Sequence, residues 1–155
     1  MAVGAGSTAL TNGTHPSTTP IELAIGLPHM PGTKIHIHLT ILTTSLMLFL
    51  TSTSLESAQG GATMGSFVYA MPDRYNPSQP LSTPLYSVPS SLDLTTRLAK
   101  LLTRRTKKLC YVGGSINLTG AAGGGTVEEE VEAFRAIVQV VTAEVAKASH
   151  HPENE

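Results

Sequence analysis

Residues 35–50 read IHIHLTILTTSLMLFL, and no other stretch limits the possible folds of this 155-residue chain as tightly. A membrane-spanning helix needs about 20 consecutive apolar residues. This run is shorter, carries His36 and His38, and is interrupted by Thr43-Thr44-Ser45. Its apolar residues recur at every second position. Ile35, Ile37, Leu39 and Ile41 fall on one side of an extended chain, with His36, His38 and Thr40 on the other. Leu46, Leu48 and Leu50 then alternate with Met47 and Phe49. This period, with the β-branched content, predicts a hairpin of two strands, 34–42 and 45–53. Both faces of the second strand are apolar. A sheet covered on both sides gives that pattern, and so does a strand buried in a dimer.

The rest of the chain supplies elements that complete a sheet around this hairpin. IELAIGL at 21–27 reads as a first strand, closed by Pro28 and Pro31-Gly32. Residues 65–71 and 81–87 read as the fourth and fifth strands, and Pro84 sends the fifth to an edge or a bulge. A helix is predicted over 91–105, with Ser90 and Asp93 at capping-box spacing and Leu94, Leu98, Leu101 and Leu102 as its apolar stripe. Residues 109–112 make a sixth strand, ended by Gly113-Gly114 and a short extended SINL. A second helix opens on a capping box, Thr126 and Glu129. Val127, Val131, Phe134, Val138, Val141 and Val145 would form its seam, widened by Ile137 and Val140. The expected class is α+β, a mainly antiparallel sheet of about six strands with two helices packed against it. The domain spans 20–148, between an N-terminal tail of Gly, Ser, Thr and Ala (1–19) and a fraying C-terminal tail (149–155).

Composition narrows the function classes. A formal net charge of -1 creates no global field for nucleic acid or anionic lipid. The single cysteine, Cys110, excludes an internal disulfide and fits a reducing compartment. The first 20 residues lack the charged start and apolar run of a secretory signal, so the sequons at Asn12 and Asn117 read as chance.

The search for chemistry returns little. His36 and His38 share a strand face, but a zinc site would need Cys110 or His150-His151 to complete it, and none lies at motif spacing. GGSINLTGAAGGG lacks the Gly-Lys-Ser/Thr ending of a phosphate loop and reads as a linker around Gly123-Gly124-Gly125. Cys110 sits mid-strand with no acid or histidine partner in the sequence, the usual setting of an inert buried thiol. The RRTKK run, Arg104 to Lys108, reads as a solvated helix end that complements the dipole or as a contact for an acidic protein surface. No aromatics interleave it as nucleic-acid binding would want. No catalytic residue, metal or cofactor is therefore assigned, and the chain is expected to bind rather than to turn over a substrate.

Three segments, in order, carry a family resemblance. HIHLTILTTSLMLFL (36–50), FVYAMPDRY (67–75) followed by LST (81–83), and RLAKLLTRRTKKLCYVGGSINL (97–118) resemble the proteasome assembly chaperone 4 family, in a divergent, fungal-like form. The likeness extends over residues 34–145. It implies a non-enzyme that pairs with proteasome assembly chaperone 3. It also implies that the heterodimer binds proteasome α-subunits, notably the α5 subunit, promotes the α-ring of the 20S core, and leaves before the core is complete. A cytoplasmic location follows, with the nucleus as a second, and no partner that is nucleic acid or membrane. Arg74, Tyr75, Lys100, Arg104 and Arg105, on a loop and a helix end, are the candidate α-subunit contacts. The alternative from another class is a small dimerising regulatory scaffold of a membrane-associated complex.

Overall fold

The computed structural model describes residues 19–54, 64–116 and 126–150. Six strands and two helices follow in the order β1 (Ile21–Leu27), β2 (Met30–Ile41), β3 (Ser45–Thr53), β4 (Ser66–Met71), β5 (Leu81–Tyr86), α1 (Pro89–Thr106), β6 (Leu109–Ser115) and α2 (Val127–Ser149). The strands form one sheet in the order β1-β2-β3-β6-β4-β5. Every pairing is antiparallel except β3 with β6. The α+β class and the mainly antiparallel sheet are as expected, and β5 with its Pro84 lies at an edge. Most of the expected tails, the Gly60-Gly61 loop, Gly123-Gly125, His151 and both sequons lie outside the described residues.

The alternation in β2 and β3 decides which face is covered. Ile35, Ile37, Leu39, Leu46, Leu48 and Leu50 are all buried, joined by Val68 and Ala70 from β4 and Cys110 and Val112 from β6. α1 covers β4, β5 and β6, α2 covers β1 and β2, and the helices touch each other. Leu98, Ala99 and Leu102 of α1 and Ala133, Ile137, Val138, Val141 and Val145 of α2 complete one core. Both helices thus sit on one side of the sheet.

Four local expectations are corrected. First, Gly113 and Gly114 do not end β6, which runs on to Ser115. They allow close approach instead: a Cβ on Gly114 would meet Thr95 Oγ1 of α1 at 2.5 Å, and one on Gly113 would meet the Phe49 ring at 2.6 Å. Second, α1 has no capping box. Its cap is Val88, without a side-chain cap bond. The Ser91 and Leu92 N–H groups both reach Val88 O at 3.0 Å, and the β4 serine holds that cap residue in place: Ser66 Oγ donates to Val88 O and accepts from Val88 N–H, both at 2.9 Å, and Ser91 Oγ accepts from Ser66 N–H at 2.9 Å. Asp93 pairs with Arg97 at 2.7 Å. Third, the buried stripe of α1 is Ser91, Thr95, Leu98, Ala99, Leu102 and Thr103, with Leu94 and Leu101 only half-buried. Small and hydroxyl side chains face inward because the helix comes down close over Gly114, where Thr95 fills the space a Cβ would need. Fourth, the N-terminal part of the α2 seam is not core, for Val127 is 77% and Val131 40% exposed. Those first turns are held by polar contacts. The expected capping box forms, Arg97 reaches Glu130 at 2.6 Å, and His29 reaches Glu132 at 2.8 Å.

Candidate functional site

The sheet face opposite the helices carries an unusual set of side chains. Antiparallel sheets with one free face normally place polar residues there. Here the register sets Glu22, His38, Phe49, Gly113, Phe67 and Tyr86 in one row across all six strands. The adjacent row holds Thr40, Met47, Tyr111, Tyr69 and Thr83. Gly113 has no side chain, so Phe49 and Phe67 close over it and stack at 5.8 Å with 9° between the rings. Phe67 stacks on Tyr111 at 6.3 Å, and Tyr111 meets Tyr69 at 4.9 Å. His38 meets Phe49 edge-on. Phe49, Met71, Leu81, Leu85 and Tyr86 are exposed. Aromatic and methionine side chains with few charges are the composition of a protein-interface centre, and a contiguous exposed patch of this kind marks an interaction site.

The sequence candidates meet at one end of this sheet. β4 runs out at Met71 beside the start of β6, because Ala70 pairs with Cys110. The loop bearing Arg74 and Tyr75 and the link between α1 and β6 therefore lie at the same end. Tyr75 is 99% exposed, and its backbone N–H donates to Asp73 Oδ1 in a tight turn. Arg104 and Arg105 are exposed in the last turn of α1, and Lys100 one turn earlier. Lys107 closes the helix in a left-handed conformation, φ 59°, where glycine is the usual residue. Lys108 is different in kind: its ammonium donates to Leu42 O and Thr43 O and ties the link to the β2–β3 turn. Among the described residues, Arg74, Lys100, Arg104, Arg105 and Lys107 pair with no carboxylate, while Arg97 and Lys147 each do. Lys34 of β2 and Arg135 of α2 are likewise without a carboxylate, so, Lys108 aside, five of seven such cations stand at this end.

The chemically suggestive residues are engaged in structure. His36 Nε2 shares a hydrogen bond with Thr53 Oγ1 at 2.9 Å, and His38 Nδ1 lies 3.5 Å from Glu22. Among the described residues no three His, Cys, Asp or Glu side chains converge as metal ligands. Cys110 is buried, and that burial pushes its thiol pKa up against the smaller opposing effects of Thr103, Thr106 and Lys108. Such a thiol is a poor nucleophile. The backbone of Gly113 and Gly114 is used in the β6 ladders, not in a loop facing a helix N-terminus. No described helix is long and apolar enough to cross a membrane.

Sequence reasoning found the sheet-end cations but missed the aromatic rows. The signal was the alternation of Phe67, Tyr69 and Met71 with Val68 and Ala70. What it lacked was the pairing of β6 between β3 and β4, which brings Phe49 to Phe67. The model of the proteasome assembly chaperone 4 family matches residues 34–116. The chain belongs to that family. The match runs from within β2 through β6 and so contains the aromatic rows and the basic sheet end, but not β1 or α2. Among solved structures, the fold is similar to a chain described as "Crystal Structure of a Novel Chaperone Complex for Yeast 20S Proteasome Assembly". That chain is 15% identical, with a TM-score of 0.59, over 82% of this chain and 97% of the other. No curated protein sequence matches this one. Membership of this family supports a chaperone role in proteasome assembly.

Proposed function

We propose that this chain is one half of a heterodimeric chaperone of 20S proteasome assembly. Its helix-free sheet face packs on proteasome assembly chaperone 3. Its basic sheet end, with Arg74, Tyr75, Lys100, Arg104 and Arg105, contacts proteasome α-subunits, notably the α5 subunit, while the α-ring forms. The observation that carries this reading is the aromatic row on an uncovered sheet face in a member of an assembly-chaperone family. Burying that row removes from water apolar surface worth about 25 cal/mol per Å², set against the cost of association. The sheet-end contact is polar and charged, which favours fast encounter and salt-sensitive release before the core is complete. The work takes place in the cytoplasm and nucleus and uses no nucleotide, metal or membrane.

Native mass spectrometry of the tagged protein from cells tests the reading. The expected species is a 1:1 pair of small chaperones bearing α-subunits; recovery solely as a monomer overturns it. Arg104→Glu with Arg105→Glu should keep the chaperone pair and lose the α-subunits. Retention of both would remove the helix end from the contact.

A further inference from the structure

The open face is chemically unequal along its length. The aromatic rows lie over β3, β6 and β4, but at the β1 side the face sinks into a hollow of about 400 Å³. Its walls are Glu22, His36, His38, Phe49 and Thr51, and its floor is Ala24 with the β1–β2 backbone. Among the described residues on this face Glu22 is the only carboxylate. Its side chain is 80% exposed, and it forms an ion-pair approach to His38 Nδ1 at 3.5 Å. The one cation on the same face, Lys34, stands opposite Gly26, roughly 13 Å farther along the strand than Glu22.

An exposed carboxylate costs nothing while water solvates it. When a partner covers the face, that carboxylate needs a cation, because an unpaired buried charge is strongly unfavourable. On this chain only the His38 and His36 imidazoles stand in the hollow, and an imidazole is charged only when protonated, so no permanent cation lies within reach. The walls also offer a flat apolar surface, the edge of Phe49, and hydroxyl and imidazole groups that accept hydrogen bonds. A planar guanidinium fits all of these at once: a fork on the carboxylate, remaining N–H groups to Thr51 and the imidazoles, and its plane against the ring.

We propose that this hollow is the socket for an arginine side chain of the partner chaperone, seated between Glu22 and Phe49 and fixing the register of the pair. The assignment rests on the sheet face being the dimer interface. The socket lies at one end of the aromatic row, so the arginine lets the partner dock in one direction along it, which apolar packing alone does not impose.

The test titrates the purified partner chaperone against the full chain and three variants by calorimetry. Melting curves verify that each variant folds. Phe67→Asp strikes the aromatic row, Glu22→Gln removes the charge of the socket alone, and Glu22→Lys reverses it. The expected result is loss of binding for Phe67→Asp, a weakening of about tenfold or more for Glu22→Gln, and a larger loss for Glu22→Lys. Reversing one partner arginine to glutamate should restore binding to Glu22→Lys. Glu22→Gln at wild-type affinity, with Phe67→Asp inactive, overturns the socket and leaves the interface standing. Unchanged binding by Phe67→Asp overturns both. Restoration of Glu22→Lys by a partner residue other than arginine overturns the choice of side chain.

Discussion

Replacing Gly113 with alanine puts a single methyl group under the aromatic row. The new Cβ would lie 2.6 Å from Phe49 Cδ1 and 2.9 Å from Cε1, with Phe67 Cδ2 at 3.5 Å. Ordinary contact begins near 3.4 Å, so the Phe49 ring must move out by about 0.8 Å. It cannot slide sideways without losing its stack on Phe67. Overpacking of this kind costs about 1–3 kcal/mol. The ring is 37% exposed and can swing toward solvent, which places the cost at the low end. Alanine returns about 0.5–1 kcal/mol through the smaller entropy of its unfolded chain, so with a low-end cost of about 1–2 kcal/mol the net loss of stability is about 0–1.5 kcal/mol. The control is Gly26→Ala in β1, where the new Cβ meets nothing within 4 Å; it should be neutral or stabilising by up to about 1 kcal/mol. Urea unfolding of the three proteins gives both differences. The binding readout is more demanding: a displaced ring should weaken the chaperone pair by more than the fold is weakened. If Gly113→Ala is as stable as Gly26→Ala and binds like the parent, the close approach is not real and the row is not an interface.

Further outcomes follow from single contacts. Lys107→Gly should stabilise the chain by about 1 kcal/mol in urea unfolding, because φ 59° strains a lysine and not a glycine. The hydrogen bond and charge of Glu132 raise the His29 pKa above 6.5, so this pair adds stability below the unfolded value and loses it as pH rises through the folded one. The effect is small at this exposed site; an NMR titration should show the raised value, and Glu132→Gln should lower it toward the ordinary histidine value, with Glu128 and Glu129 still acting in the raising direction. Cys110 should resist a thiol reagent in the native protein and react only on unfolding in denaturant, since its sulfur is buried and its pKa is raised.

The strands of the hairpin were legible because burial on one face leaves a period of two in the residues themselves, as at Ile35, Ile37 and Leu39. The edge position of β5 was legible because Pro84 cannot donate to a ladder. The start of α1 was not. Ser90 and Asp93 have the right spacing for a cap, but the helix starts from Val88, whose backbone is held by Ser66, twenty-two residues earlier. Nor does local sequence reveal why Thr95 and Ser91 should be buried; that depends on Gly114 lying beneath them. In α2 the heptad-like valines continue past the edge of the core, so periodicity overstates the seam at Val127 and Val131. The basic sheet end was visible as RRTKK, but its proximity to Arg74 and Tyr75 required the β4–β6 register. The aromatic rows depended on the same register, which no short stretch of chain encodes.

The single parallel pairing has a kinetic consequence. β1, β2 and β3 form one antiparallel unit from contiguous chain, and β4, β5, α1 and β6 form another. Only the seam between β3 and β6 joins their ladders, with Ser45 beside Leu109 and Thr51 beside Ser115. Closing it brings together segments far apart in sequence, after each half can already have formed its own local pairs. The seam is therefore expected to close last in folding, and until it does each half presents an unpaired strand edge. Stopped-flow refolding should show substitutions at Val112 or Leu48 slowing the final phase more than substitutions within the β1–β2 hairpin. A chain that leaves this step incomplete exposes Leu48 and Val112 together with two open edges, the surface most prone to capture by other unfolded chains.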